Sequence, residues 1–272
     1  VYKSRKMAAL LLLGFSSGLP FYLTSRTLQA WMTLEGVNLT AIGFLSLTSL
    51  PYSLKFLWSP LIDRFSFPFL GRRKGWLLIS QLSLMAAIGA MALQRPAEAL
   101  GLVAANAFLI AFLSATQDVT IDAYRTDILD PPELGAGAGV FVLGYRCALI
   151  LTGGVALILA DQMSWPSVYL LLAVLMAVVL IVSTRVAEPV VIGQPPASLG
   201  EAIRLPFIEF FDRIGHARGM WILAFIVVYR LGDALIMNMT TPFLIQTGFS
   251  QTDIGAIQGG VGLFATIVGV LA

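Results

Sequence analysis

Charged side chains inside apolar stretches are the residues of this 272-residue sequence best placed to do chemistry. Asp118 and Asp122 are spaced i, i+4 and Arg125 follows three residues later, so one helix face would carry two carboxylates and a guanidinium. Removal from water disfavours the charged form of a carboxyl group, whereas a nearby arginine favours that form. We therefore predict a proton-coupling pair in which Asp118 carries the proton and Asp122, ionised beside Arg125, acts as a structural latch.

Basic residues also lie within apolar stretches, and they are Arg26, Lys55, Arg146 and Arg230. An ionisable group at the centre of a membrane helix costs at least about 2.5–3.5 kcal/mol, so each of these residues needs a partner or a water-filled cavity. Arg146 has no acidic neighbour at i±3 or i±4. We predict that Arg146 lines a cavity and binds a carboxylate of a solute that enters it, because guanidinium presents a planar fork of donors.

Simpler explanations of these charges remain open at the sequence level. Arg230 and Asp233 are spaced i, i+3 and are equally well explained as an ion pair on one helix. Lys55 would reach the inner membrane surface by extending its long side chain. Asp118 would pair with a basic residue of a neighbouring helix, such as Lys55 or Arg146, without carrying a proton.

The composition restricts the class of protein to which these residues can belong. Hydrophobic residues make up 58% of the sequence and charged residues 12%, whereas soluble domains contain about 25% charged residues. This composition excludes a soluble domain, a nucleic-acid-binding protein, a coiled coil and a disordered chain. A single cysteine, Cys147, and a single histidine, His216, argue against a disulfide framework and a metal site, and we expect no cofactor.

Apolar runs long enough to cross a bilayer as helices recur along the chain. They are residues 7–31, 40–62, 75–94, 98–122, 134–160, 166–184, 219–245 and 251–272. The predicted fold is an all-α polytopic membrane protein in which residues 1–187 form a six-helix bundle and residues 188–218 a cytoplasmic linker. Residues 219–272 would begin a second, truncated bundle, which implies a longer protein. Within the linker, residues 205–214 are predicted to form a short amphipathic helix.

The distribution of lysine and arginine predicts the orientation of the chain. Loops 1–6, 63–74, 125–133 and 185–218 fall on one side and carry 3, 4, 1 and 4 basic residues, whereas the opposite loops carry only Arg95. Cytoplasmic loops are enriched in lysine and arginine. The N-terminus is therefore predicted to be cytoplasmic.

Asp63-Arg64 and the later Gly71-Arg72-Arg73-Lys74 resemble the loop motif of the major facilitator superfamily. The motif is altered, because Ser59 replaces its leading glycine and residues 65–70 are inserted. The resemblance implies the superfamily's plan of two helical halves joined by a long linker. We assign structural or gating roles to the motif residues Asp63, Arg64, Gly71, Arg72 and Arg73. The same roles are assigned to Arg125, the neighbour of Asp122, and to Asp233, the neighbour of Arg230.

A narrower resemblance covers nearly the whole chain. The segments that carry it are GFSSGLP (14–20), TLQAWM (27–32), KFLWSPL (55–61), GRRKGWLL (71–78), SATQD (114–118), GAGA (135–138), LGYR (143–146), LGDA (231–234) and TPFLI (241–245). Together they resemble the AmpG family of muropeptide permeases, whose pattern includes the inserted loop.

The AmpG resemblance implies a proton-driven importer in the inner membrane of Gram-negative bacteria, and we expect the protein to be a monomer. Its cargo would be N-acetylglucosaminyl-anhydro-muramyl peptides, which are recycled in the cytoplasm and are linked to β-lactamase induction. Acetyl-coenzyme A transporters of the same superfamily are the alternative. Two alternatives of other classes are a channel and a membrane-embedded, lipid-linked sugar transferase. The transferase would need clustered acidic residues, but Asp127, Asp130 and Glu133 look like a solvated turn around two prolines.

An anionic sugar-peptide would need fixed cations, aromatic faces and polar contacts in the cavity of the transporter. The candidate substrate-binding residues are Arg146, Arg230, Lys55, Tyr52, Trp58, Tyr145 and Gln117.

Overall fold

The computed structural model describes residues 4–189, 199–226, 228–229, 265 and 268–269. The chain divides into two compact units, Val1–Gln194 and Pro195–Ala272, which are treated separately below. In the described ranges the chain is helical, and the sole strand-like feature is an isolated bridge between Phe67 and Gly71. The all-α class predicted from the sequence is confirmed.

Ten α-helices are numbered in the first unit and one in the second, where a further helix covers residues 216–226. They are α1 (Arg5–Leu23), α2 (Arg26–Leu34), α3 (Leu39–Phe44), α4 (Leu50–Leu54), α5 (Ser59–Arg64), α6 (Arg73–Met91), α7 (Leu100–Ile128), α8 (Leu134–Ile150), α9 (Ala156–Ala160), α10 (Trp165–Ser183) and α11 (Leu199–Ile214). Short 3₁₀ segments cover Leu45–Ser49, Lys55–Leu57 and Pro131–Glu133, and a π-helical turn covers Leu151–Val155.

Five helical segments of the described chain are long and apolar enough to cross a membrane. They are Arg5–Leu34, Arg73–Met91, Leu100–Ile128, Pro131–Ala160 and Trp165–Ser183. They correspond to five of the six apolar runs predicted for the first bundle.

The remaining run of the first bundle, 40–62, is not one continuous helix. It is divided into α3, α4 and α5 by 3₁₀ turns, with Pro51 in the first turn of α4 and Pro60 in the first turn of α5. Proline lacks a backbone N–H and clashes with the preceding turn, so a helix tends to restart at such positions. The predicted runs 219–245 and 251–272 lie largely outside the described residues.

Close contact between α1 and α8 depends on small residues. A Cβ atom added to Gly14 would collide with the carbonyl oxygen of Phe141, and one added to Gly144 would collide with that of Leu11. Gly18, four residues after Gly14, lies in the same way against the backbone of α8. Small residues at this spacing let membrane helices approach closely. This contact fixes the register between α1 and α8.

An aromatic cluster packs α2 against α10. The rings of Trp31 and Trp165 stack with centroids 6.0 Å apart, and Tyr169 lies 5.2 Å from Trp31. The Tyr169 hydroxyl donates a hydrogen bond of 2.9 Å to the carbonyl oxygen of Leu23, the last residue of α1. Burial of these large rings supplies much of the packing at this end of the bundle.

The second unit is described mainly by α11 and a helix over residues 216–226. The two helices meet at Gly215, whose φ of +86° is a left-handed conformation that glycine adopts without strain. The predicted amphipathic segment 205–214 is helical, and its helix begins six residues earlier than predicted.

Candidate functional site

Asp118 is the carboxylate around which the candidate site is built. It lies on α7, about 27 Å from the start of that helix at about 1.5 Å per residue, and its side chain is half-buried. The Ser17 hydroxyl of α1 donates a hydrogen bond of 2.5 Å to Asp118 Oδ1. A carboxylate held by a hydroxyl at the interface of two membrane helices is a candidate for binding and releasing a proton.

Aromatic side chains from three segments gather beside Asp118. Phe21 of α1 packs against Tyr52 of α4 with ring centroids 5.4 Å apart, and against Tyr145 of α8 at 6.5 Å. Both tyrosines lie close enough to Asp118 to interact with it electrostatically. The structure thus brings two of the predicted aromatic substrate contacts together with the predicted proton carrier.

Asp122, one turn after Asp118, is shared by two cations. Lys55 Nζ lies 3.6 Å from Asp122 Oδ2, and Arg125 Nη2 lies 3.5 Å from Asp122 Oδ1. The Arg125 guanidinium also sits 5.0 Å above the ring of Phe141 on α8. Lys55 therefore forms its ion pair with Asp122, whereas the described partner of Asp118 is the Ser17 hydroxyl.

Arg146 is exposed on α8, next to Tyr145. Among the described residues, no carboxylate oxygen lies within 4.0 Å of its guanidinium. An unpaired guanidinium on a membrane-spanning helix is costly unless it faces water or a ligand. With respect to the described part of the chain, the guanidinium fork is available to a ligand carboxylate.

Gln117 and Trp58 are held at helix interfaces in this conformation. Gln117 is fully buried, and its Nε2 donates to Ser16 Oγ at 2.8 Å. Trp58 Nε1 donates to Thr116 Oγ1 at 3.1 Å, and the rings of Trp58 and Phe112 pack with their centroids 4.8 Å apart. Their predicted contact with a substrate stays a prediction, as do the roles of Arg230 and Asp233, which lie outside the described residues.

Arg73 joins three elements at the end of the bundle predicted to be cytoplasmic. Its side chain is 8% exposed, with Nη1 2.5 Å from Asp63 Oδ1 and Nε 2.7 Å from Asp127 Oδ2. These contacts connect the end of α5, the start of α6 and the end of α7. Nearby, Arg72 donates to the Asp63 carbonyl oxygen at 3.2 Å, and Arg64 lies 5.9 Å above the ring of Phe65.

The sequence suggested a solvated acidic turn at Asp127, Asp130 and Glu133, but these residues, at the end of α7 and just after it, form ion pairs. Asp127 pairs with Arg73, whereas Asp130 and Glu133 both pair with Lys6 of α1, at 3.0 and 3.2 Å. These residues approach cations that lie at least 54 positions away in the sequence. Local sequence patterns gave no sign of these contacts.

Glu188, which follows α10, caps the N-terminus of α6. Its two carboxylate oxygens accept hydrogen bonds from the backbone N–H groups of Arg73 and Lys74, at 2.9 and 2.7 Å. The first N–H groups of a helix lack partners within the helix, and a carboxylate there also interacts favourably with the helix dipole. Gly71, with φ +82°, lies against the same carboxylate, and a Cβ there would be 2.5 Å from Glu188 Cδ.

The Gly71→Ala variant is therefore expected to unfold at a lower temperature. Left-handed backbone costs a residue with a side chain about 1–2 kcal/mol, and displacement of the Glu188 cap adds about 1 kcal/mol. Thermal unfolding of the purified full-length protein in detergent measures the change. Gly101→Ala is the matched control, since Gly101 is helical and has open space around it. Equal melting temperatures for both variants would contradict the described role of Gly71.

Several residues of the site were missed by reasoning from the sequence. They are Ser16, Ser17, Gln81 and Glu188. The one available signal was the occurrence of neighbouring serines and a glutamine within otherwise apolar helices. Their partners lie 65 to 115 positions away, so their contacts could not be inferred from spacing.

Comparison with known proteins identifies the family. Residues 10–272 match the Major Facilitator Superfamily. The chain is 47% identical over 274 residues to the anhydromuropeptide permease of Escherichia coli strain K12. The matched region covers 100% of this chain and 55% of that protein. It is 31% identical over 282 residues to the "Putative transporter AmpG 4" of Rickettsia felis, and this match covers 100% of this chain and 67% of that protein. The chain thus spans about half to two thirds of the length of these relatives.

The family match and the five apolar helices agree with a multi-pass protein of the bacterial inner membrane. The superfamily consists of transporters, which favours a transporter over the transferase alternative. The family predicted from the sequence motifs is confirmed. The chain therefore belongs to the AmpG family of the major facilitator superfamily.

Proposed function

We propose that the protein imports anhydro-muropeptides from the periplasm into the cytoplasm for cell-wall recycling, with the link to β-lactamase induction that this implies. The observation that carries the proposal is the 47% identity, across all of this chain, to a protein named anhydromuropeptide permease. The cluster around Asp118 adds a physical basis, because it combines a half-buried carboxylate with tyrosine rings. Arg146 follows one of these tyrosines on α8 and has no carboxylate partner among the described residues.

Arg146 and the two tyrosines would bind different parts of an anionic sugar-peptide. The guanidinium of Arg146 suits a carboxylate of the peptide, because two parallel N–H donors match its two oxygens. The rings of Tyr52 and Tyr145 offer apolar faces to the sugars and hydroxyl groups at their edges. Lys55, Trp58, Gln117 and Arg230 are proposed as further substrate contacts in other stages of the transport cycle.

The proton gradient would supply the energy, and Asp118 would carry the proton. One elementary charge crossing 100 mV releases about 2.3 kcal/mol, which is enough for roughly fifty-fold accumulation of cargo per proton. Asp122, between Lys55 and Arg125, would stay ionised and hold α7 against the segment that contains Lys55. Asp118 and Asp122 thus take different parts in coupling.

The organisation that goes with this proposal has three parts. Residues 1–187 form the first bundle, residues 188–218 a cytoplasmic linker and residues 219–272 the beginning of the second bundle. The excess of lysine and arginine on one side supports a cytoplasmic N-terminus. The protein works as a monomer without a cofactor, and Asp233 acts with the 63–73 loop residues in structure or gating.

A competition experiment tests the substrate. Right-side-out membrane vesicles that contain the full-length protein would take up labelled anhydro-muropeptide, with vesicles lacking the protein as the control. Unlabelled anhydro-muropeptide should compete strongly, whereas free peptide and acetyl-coenzyme A should compete weakly. Equal competition by acetyl-coenzyme A would favour the other transporter class. Turnover of the muropeptide without its uptake would favour an enzyme.

A further inference from the structure

Two adjacent serines of α1 form hydrogen bonds to two adjacent residues of α7. Gln117 Nε2 donates to Ser16 Oγ at 2.8 Å, and Ser17 Oγ donates to Asp118 Oδ1 at 2.5 Å. Gln81 Nε2, from α6, donates to the same Ser16 oxygen at 3.1 Å. Ser16, Ser17, Gln81 and Gln117, called the serine–glutamine cluster below, are all buried. The hydroxyl partner of Asp118 is thus part of a polar cluster that connects three helices.

The register of this cluster makes the Ser17 contact sensitive to the position of α1. A helix turns by about 100° per residue, so rotation of α1 by one residue would break both contacts to α7 together. The two glutamine amides hold the Ser16 oxygen from α6 and α7. They therefore fix the place from which the Ser17 hydroxyl reaches Asp118.

The cluster is not arranged for maximal stability. Within the described part of the chain, Oε1 of Gln81 and Oε1 of Gln117 are buried and accept no hydrogen bond. Buried amide oxygens without donors destabilise a fold and are rare in native proteins. Apolar side chains at these positions would avoid that cost, so two amides on the Ser16 oxygen, next to the contact between Ser17 and Asp118, favour a functional role for the cluster.

We propose that Ser17 sets the loading of the proton at Asp118, and that Gln81 positions Ser17 through Ser16. The inference deepens the proposed transport function and rests on it. An ionised Asp118 can only accept hydrogen bonds, so the Ser17 hydroxyl donates to it. When a proton binds a carboxylate oxygen, Asp118 becomes neutral, so the Ser17 hydroxyl no longer donates to a negative charge, and with the proton on Oδ1 itself the hydroxyl turns to accept.

The change at Ser17 has a direct path to the proposed substrate residues. Gly18, the next residue of α1, packs against the carbonyl oxygen of Tyr145, where an added Cβ would lie 2.6 Å away. Tyr145 and Arg146 are adjacent on α8. A shift of α1 that follows protonation of Asp118 would therefore move the backbone that carries both substrate contacts.

Other charged and titratable groups also face Asp118. They are Lys55 and Tyr52 from the segment between residues 50 and 57, Tyr145 from α8 and Asp122 from α7 itself. These groups are the same in every variant below. A difference between variants in the pH dependence of transport therefore reports on the hydroxyl of Ser17 and its position.

The test measures the initial rate of labelled anhydro-muropeptide uptake by full-length protein in proteoliposomes across a pH series. Ser17→Ala removes the donor to the ionised carboxylate, so the pH of half-maximal uptake should rise by about one unit. Ser17→Thr keeps the hydroxyl and should restore the wild-type profile. Gln81→Leu should shift the profile in the same direction by less, with a lower maximal rate, and it provides the same readout if Ser17→Ala does not insert.

Asn106→Leu is the matched control. Asn106 is buried on α7 and donates a hydrogen bond of 3.0 Å to the carbonyl oxygen of Ala87 on α6. Along α7, Asn106 lies twelve residues, or about 18 Å, from Asp118. Loss of this hydrogen bond should lower thermal stability without moving the pH profile.

Two results would overturn the inference while leaving the proposed function intact. The first is that the wild-type protein takes up cargo and the Ser17→Ala variant has the same pH profile of uptake. If Ser17→Ala does not insert into the membrane, the same result in Gln81→Leu would count. The second is an equal shift in Asn106→Leu. Absence of uptake by the wild-type protein would instead overturn the proposed function, and the inference with it.

Discussion

The Asp118→Asn variant is expected to lose accumulation of anhydro-muropeptide against its concentration gradient while it still binds the cargo. Asparagine has nearly the same size as aspartate and can still accept the Ser17 hydrogen bond, but it cannot exchange a proton. At a potential of 100 mV, the loss would be roughly fifty-fold in the ratio of internal to external cargo for each proton coupled. Steady-state uptake by the full-length protein in proteoliposomes measures this ratio.

Asp122→Asn is the matched control for that variant. Asp122 is a carboxylate one turn further along the same helix, and it is paired with Lys55 and Arg125. Partly exposed ion pairs contribute about 0–1 kcal/mol, so this change should slow transport or lower stability modestly and leave accumulation in place. An Asp118→Asn protein that still concentrates the cargo would contradict the assignment of Asp118 as the proton carrier.

Arg146→Ala is expected to weaken the apparent affinity for the cargo by roughly ten- to 150-fold. This corresponds to about 1.5–3 kcal/mol for a hydrogen bond to a charged group. Arg146→Lys keeps the charge but loses the fork, so it should also weaken uptake severely. The concentration dependence of initial uptake gives the apparent affinity, and immunoblotting of the membranes verifies the amount of protein.

Arg125→Lys provides the comparison for Arg146. Arg125 is already engaged with Asp122 and with the ring of Phe141, and lysine retains the charge at that position. The apparent affinity of the Arg125→Lys protein for cargo should stay close to that of the wild type. If Arg146→Ala binds cargo as tightly as the wild type, Arg146 does not contact a carboxylate of the substrate.

Features that depend on neighbours in the sequence could be predicted from the sequence. Hydropathy located the five long helices, because about 20 apolar residues are needed to cross a bilayer. The spacing of Asp122 and Arg125 predicted that both lie on one helix face, and in the structure Asp122 Oδ1 and Arg125 Nη2 are 3.5 Å apart. The division of the 40–62 run was harder to foresee, because Pro51 and Pro60 are compatible with either a kinked or a restarted helix.

Contacts between distant parts of the chain could not be predicted in this way. The carboxylate of Glu188 lies at the start of α6, 114 and 115 positions from its two donors, and Ser17 is 101 positions from Asp118. Gln117 is a further example, because its hydrogen bond to Ser16 of α1 could not be inferred from its spacing. Its predicted contact with a substrate stays a prediction.

The most direct test of the account is transport driven by an imposed proton gradient. Proteoliposomes that contain the full-length protein would be supplied with labelled anhydro-muropeptide and an inward proton gradient, with and without a protonophore. The account predicts that the internal concentration rises above the external one, and that the protonophore abolishes this excess. Cargo that only equilibrates across the membrane, with the same time course in both conditions, would contradict proton-coupled import.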